Sequence, residues 1–179
     1  MATTKTTNEV ELLYGQLVIG PAGSGKTSFC KAMLELLEND RQVIMVNLDP
    51  DNESIPFTPH IDIGELVRLP EVMQNESLGP NGAFLFCIDM LAQNFDWLYR
   101  RIEQEMAKAA KAAATKQFDN NKSDRLSNAL SRKPYIIFDC PGQIELYTNY
   151  PAFKRLINRL GNGPELLPPD EGESPQSVS

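Results

Sequence analysis

The sequence predicts an α/β fold, a three-layer sandwich in which helices cover both faces of a mostly parallel sheet. Three observations carry this reading. Short, wholly apolar runs recur at Leu17-Val18-Ile19, Val43-Ile44-Met45-Val46 and Tyr135-Ile136-Ile137-Phe138, as strands buried on both faces require. Segments with apolar residues at helical spacing separate them. Polar and glycine-rich loops follow directly after each run, where parallel sheets of this class bind ligands.

The elements follow in order. Residues 1–11 read as a frayed polar tail. The first strand runs from about Tyr14 to Ile19. It enters Gly20-Pro21-Ala22-Gly23-Ser24-Gly25-Lys26-Thr27, the spacing Gly, four residues, Gly-Lys-Thr. A helix then extends to about Glu38, with Phe29, Met33, Leu34 and Leu37 on one face. This strand–loop–helix setting is that of a phosphate-binding loop, so the class is that of the P-loop NTPases. The second strand, about Gln42 to Leu48, ends at Asn47-Leu48-Asp49-Pro50-Asp51-Asn52-Glu53. Ser54 to His60 carries Pro56 and Pro59 and reads as a loop. His60, the only histidine, has no companion spaced for a metal and reads as a surface residue. Asp62 is placed to cap a helical stretch reaching about Val67, and Pro70 to Met73 to start another turn.

Leu78-Gly79-Pro80-Asn81-Gly82 is a turn cluster. A single long helix is expected after it, from about Ala83 to past Met106, burying Phe84, Ile88, Leu91, Phe95, Leu98 and Ile102. Residues 107–133 read as a polar insertion. Between Arg100 and Lys133 nine basic residues face four acidic ones, which suits a solvated face, or docking against an acidic partner. The third strand delivers Asp139-Cys140-Pro141-Gly142-Gln143. A helix from about Ala152 to Leu160 and a disordered acidic tail, 161–179, complete the chain. The organisation expected is thus a tail (1–11), a partial domain (12–160) and a second tail.

The P-loop fixes the chemistry. Glycines let the backbone curl until several N–H groups converge, and the helix N-terminus adds positive partial charge. Gly20, Pro21, Ala22, Gly23, Ser24, Gly25, Lys26, Thr27 and Ser28 are therefore candidates to bind a polyphosphate. Lys26 reaches the outer phosphates and Thr27 offers a hydroxyl to Mg²⁺. A P-loop needs an acidic residue on a neighbouring strand to hold that ion, and Asp139, ending an apolar strand, fits. Gly142, three residues on, is placed for its backbone N–H to meet the terminal phosphate. Asp49 faces the same edge and could orient water, deprotonate it, or bind a metal-bound water, or be no more than a turn residue before Pro50.

Leu48-Asp49-Pro50, Gly79-Pro80-Asn81 and Asp139-Cys140-Pro141-Gly142-Gln143, in this order behind the P-loop, resemble the GPN-loop GTPases. The resemblance covers about Tyr14 to Ile157. Within the family, Asn47 to Glu53 and Ile63 to Val67 lean to one paralogue, and Gly20 to Gly23 and Ile144 to Thr148 to another. The resemblance implies a GTP-hydrolysing switch with GTP or GDP and Mg²⁺ as ligands. It implies that Asn81 reaches the partner's nucleotide across a dimer, that Asp49 acts at the attacking water and Asp139 on Mg²⁺, and that Gln143 sits in the switch. Partners implied are paralogous GPN-loop GTPases, in homo- or heterodimers, and subunits of RNA polymerase II and sometimes III, whose assembly and nuclear import members assist. The place implied is the cytoplasm, with shuttling to the nucleus.

Composition bounds the alternatives. A net charge of −7 does not favour direct contact with nucleic acid. No apolar run has membrane-spanning length, and the polar N-terminus lacks a secretion core. Cys30, Cys87 and Cys140 sit in apolar segments without a C-x-x-C pair, which reads as buried, reduced and intracellular. Asn121-Lys122-Ser123-Asp124 matches a guanine-selecting pattern but follows no apolar strand, and is rejected. About forty residues follow Asp139, too few for the family's later strands, so a C-terminally truncated domain with an open sheet edge is expected. Poor stability alone and weak or absent turnover follow. Two rival readings are an interaction module without turnover and a P-loop nucleotide or small-molecule kinase, the latter disfavoured because no arginine-rich lid is recognisable.

Overall fold

The computed structural model describes residues 14–52, 54–115 and 134–162. It contains a four-stranded parallel sheet formed by β1 (Tyr14–Val18), β2 (Val43–Asn47), β3 (Ile61–Asp62) and β4 (Tyr135–Asp139), in the spatial order β1-β4-β2-β3. Both β1 and β2 pair in parallel with β4, so that Val18 and Asn47 flank Asp139 in register. That register brings the C-terminal ends of the three long strands to one edge of the sheet.

Alternation along β2 and β4 splits the core. Val43, Met45 and Ile137 turn to one face and meet Cys30 of α1 (Lys26–Leu37). Ile44, Val46, Ile136 and Phe138 turn to the other. There they meet α3 (Pro80–Gln93), α4 (Phe95–Thr115) and α6 (Pro151–Asn162). Helices thus cover both faces, as wholly apolar strands demand. Two shorter helices, α2 (Leu69–Asn75) and α5 (Ile144–Asn149), border the second layer. No helix among the described residues is long and apolar enough to cross a membrane.

Several expectations need correction. The single long helix is two. Asn94 leaves the helical region (φ −103°, ψ 35°) and donates from its side chain to the Met90 carbonyl at 2.8 Å, closing α3. Its own carbonyl accepts from the Trp97 N–H at 2.9 Å, opening α4. The buried stripe survives the junction, from Phe84 to Ile102. Ahead of the Asp62 turn lies the two-residue strand β3, which composition does not announce. Asp62 does cap: it accepts from Gly64 N–H at 2.7 Å, and Glu65 reaches back to the Asp62 N–H, a reciprocal capping box. The turn it opens, however, is a single 3₁₀ turn (Ile63–Glu65) rather than a helix to Val67. The last helix begins at Pro151 and is preceded by α5, which was not expected.

His60 is exposed, as expected, and also extends the sheet: its N–H bonds the Met45 carbonyl at 2.8 Å, and its Nδ1 accepts from Met45 N–H at 3.1 Å. Among the described residues β1 lies at one edge of the sheet, with Tyr14 at 37% and Ile19 at 50% exposure. Among the described residues no strand pairs with the other side of β1. The terminal segments 1–11 and 163–179, most of the insertion, and Asn121 to Asp124 within it lie outside the described residues.

Candidate functional site: a P-loop and two strand-end aspartates

The P-loop is built by glycine geometry. Gly23 and Gly25 adopt φ of +75° and +85°, values that residues with a Cβ rarely take. Gly25 is the N-cap of α1 and no side chain caps it, so the first N–H groups of the helix remain available to a ligand. Lys26 folds back over the loop, its Nζ donating to the Pro21 carbonyl at 3.1 Å.

The loop after β4 closes against this turn. A Cβ added at Gly142 would lie 3.0 Å from Ala22 Cα and 3.1 Å from both the Ala22 nitrogen and Lys26 Nζ. Only glycine permits that approach without displacement. Gly142 is thus beside the phosphate-binding turn and the lysine, where the sequence places it.

Asp139 is 1% exposed, and its Oδ1 has no hydrogen-bond partner among the described residues. Burial raises its pKa, while the Thr27 hydroxyl, the Lys26 ammonium and the Cys30 thiol act in the opposite direction. A buried carboxylate with an orphan oxygen is costly. Together with the Thr27 hydroxyl it forms a hard oxygen donor set that suits Mg²⁺, which takes few protein ligands and completes its shell with phosphate and water. The residues present therefore fit the metal that the fold family implies. No group of three or more His, Cys, Asp or Glu side chains gathers for a metal among the described residues, so Thr27 and Asp139 are the residues that would hold it.

Asp49 stands on a loop fixed from below. Asn47, 2% exposed, accepts from the Asp49 N–H at 3.1 Å and donates to the Asp49 carbonyl at 3.2 Å and to Asp62 Oδ1 at 3.4 Å. Asp49 Oδ1 in turn accepts from the Asp51 N–H at 3.1 Å. Burial raises the Asp49 pKa; that backbone bond lowers it, Asp51 and Asp139 raise it, and Lys26 lowers it. Asp49 therefore shares its electrostatic environment with both Asp139 and Lys26. Beside this loop opens a cleft of about 360 Å³ whose walls include Asp49, Asn52, Asp62, Arg68 and Glu71.

Asn52 is the residue that sequence reasoning missed. Its Nδ2 donates to Thr27 Oγ1 and to Asp139 Oδ2, each at 3.4 Å. It joins the tip of β2 to the P-loop and to β4 across 25 and 87 residues of sequence. An asparagine in a polar turn carries no motif that announces such a role. Asn81 and Gln143 are not drawn in. Asn81 is exposed in the first turn of α3, and Gln143 is exposed at the N-cap of α5. Among the described residues no hydrogen bond ties either to the P-loop.

The family model described as a conserved hypothetical ATP-binding protein matches residues 18–166. GPN-loop GTPase 2 of Danio rerio is 39% identical over 150 residues, which cover 83% of this chain and 40% of that protein. GPN-loop GTPase 3 of Mycosarcoma maydis is 41% identical over 150 residues, 83% of this chain and 44% of that protein. The two paralogues are matched about equally, whereas the motif cues favour GPN-loop GTPase 2 without excluding GPN-loop GTPase 3. A solved structure, a GTPase of Pyrococcus abyssi in its apo form, aligns with a TM-score of 0.50 and 28% identity over 81% of this chain and 48% of that one. The chain spans less than half the length of each of these relatives. With the family model spanning residues 18–166, and with its P-loop and strand-end aspartates arranged on this sheet, the chain belongs to the GPN-loop GTPase family.

Proposed function

We propose that the protein is a guanine-nucleotide switch that binds GTP and hydrolyses it to GDP and phosphate. The observation that carries this reading is the convergence of Lys26, Thr27, Asp139 and Asp49 at one sheet edge, three of them electrostatically coupled. Phosphoryl transfer to water asks little covalent chemistry of a protein and much positioning and charge stabilisation. Lys26 and the free N–H groups of the P-loop would neutralise the phosphate oxygens. Thr27 and Asp139 would hold Mg²⁺, which would supply positive charge to offset the charge on the phosphates. Asp49, its pKa raised by burial, would orient the attacking water and receive its proton. Gly142 N–H would sense the terminal phosphate, and Gln143 would move with that loop. Guanine preference is inferred from the names of the relatives.

The wider role we propose follows the family resemblance: pairing with a paralogous GPN-loop GTPase or a second copy, with Asn81 directed across the interface, and assistance to RNA polymerase II assembly and nuclear localisation, with polymerase III a further client. The exposed position of Asn81 supports an intermolecular role over one in its own site. The place of action proposed is the cytoplasm, with passage to the nucleus. Residues 12–160 are proposed as one domain.

The test is multiple-turnover phosphate release from the purified chain with GTP and ATP. GTP-dependent release that Lys26→Ala lowers by at least about 100-fold supports the proposal, since an outer-phosphate cation of this kind supplies several kcal/mol. Equal release with both nucleotides removes the guanine claim. A second reading, an interaction module without turnover, is favoured by the exposure of Phe29 (49%) and Leu36 (66%) on α1. Nucleotide binding without phosphate release would select it.

A further inference from the structure

The side-chain amide of Asn52 lies within hydrogen-bond distance of the two oxygens that the P-loop arrangement assigns to a divalent cation, Thr27 Oγ1 and Asp139 Oδ2. Its NH₂ presents partial positive charge to both lone pairs. A cation held by Thr27 and Asp139 competes with that NH₂ for the same acceptors. The amide is planar and carries its acceptor on the same carbon as its donor, so one torsion exchanges the two. The backbone below is fixed by the Asn47 and Asp49 bonds, and Asn52 N–H itself bonds the Asp49 carbonyl at 3.4 Å. Asn52 is thus delivered to this position by a buried scaffold.

We infer that Asn52 is a metal-site residue whose Oδ1 serves the divalent cation, directly or through one of its waters, alongside Thr27 and Asp139. The inference rests on the nucleotide-switch reading. It identifies a residue of the β2 loop whose position reports whether the cation is present. The donor set then becomes hydroxyl, carboxylate and amide oxygen, all hard ligands. The orphan Oδ1 of Asp139 belongs to the same cluster.

The test is the affinity of Mn²⁺ for the GDP complex of the full chain, read by electron paramagnetic resonance, in wild type, Asn52→Ala and Asn52→Asp. GDP affinity in EDTA, measured beside it, reports whether each variant keeps its fold. The inference expects Asn52→Ala to weaken Mn²⁺ about 10- to 100-fold, the range for loss of a residue that supports a metal shell, with GDP affinity in EDTA unchanged. It expects Asn52→Asp, which keeps the oxygen and adds charge, to bind Mn²⁺ at least as tightly as wild type. Mn²⁺ affinity unchanged or strengthened in Asn52→Ala overturns it, because the amide would then be a bystander or only a competitor. Weaker binding in Asn52→Asp than in Asn52→Ala also overturns it, because the residue would then act only as a donor to Asp139. Failure of wild type to bind any guanine nucleotide is a separate result, and sinks the functional reading first.

Discussion

Gly142 shows how narrowly single atoms set this site. A methyl group on its α-carbon would press on the Ala22 backbone and the Lys26 ammonium at 3.0–3.1 Å, so that the two loops would have to part by a few tenths of an ångström. Gly142→Ala should push the β4 loop off the P-loop, costing about 1 to 3 kcal/mol as overpacked contacts do. Nucleotide affinity by fluorescence titration should fall together with the urea midpoint. An unchanged affinity would mean that the two loops need not touch. The same scale explains what sequence could and could not reveal. Lys26, Thr27 and Asp139 were legible because the phosphate-binding turn and a strand-end carboxylate have fixed local signatures. Asn52 was not, because its importance lies in contacts with residues far away in the chain, and a turn asparagine looks the same with or without them.

At the scale of elements, the apolar runs marked β2 and β4 because both faces of these strands are covered, whereas β1, half-exposed at the sheet edge, was marked by the P-loop that follows it. β3 escaped notice because two residues carry no periodicity. The Asn94 junction escaped because its apolar stripe runs through the break, and helical spacing alone does not register one cap. The second layer hangs on α6, where Phe153 is fully buried and meets the Tyr147 ring edge-on at 5.0 Å. Tyr147 in turn donates to the Pro141 carbonyl at 2.6 Å, in the loop that holds Gly142. Phe153→Ala should cost about 3 to 5 kcal/mol, measured by urea denaturation, and should loosen this loop as well. A loss below about 1 kcal/mol would show that α6 contributes little to the core.

For the whole molecule, the arrangement sets folding stability against function. The site holds a buried aspartate, Asp139, and a half-buried one, Asp49, whose pKa values rise from 3.8, chiefly through desolvation. A carboxylate with a raised folded-state value favours the folded chain while it is protonated. That contribution is fully present below the unfolded value and is lost as pH rises through the folded one. Without divalent cation, the stability advantage of Asp139→Asn over wild type should therefore widen as pH rises from about 4 towards 8, read from urea midpoints across that range. A constant difference would contradict the burial cost assigned to Asp139.

Titration of the purified chain with fluorescent GTP and ATP analogues, with and without Mg²⁺, tests most directly whether these loops form one polyphosphate and metal site. The account predicts Mg²⁺-strengthened binding of the guanine analogue, abolished by Lys26→Ala and stripped of its Mg²⁺ dependence by Asp139→Asn. Binding that survives both substitutions unchanged, or no binding of either nucleotide to wild type, would contradict it.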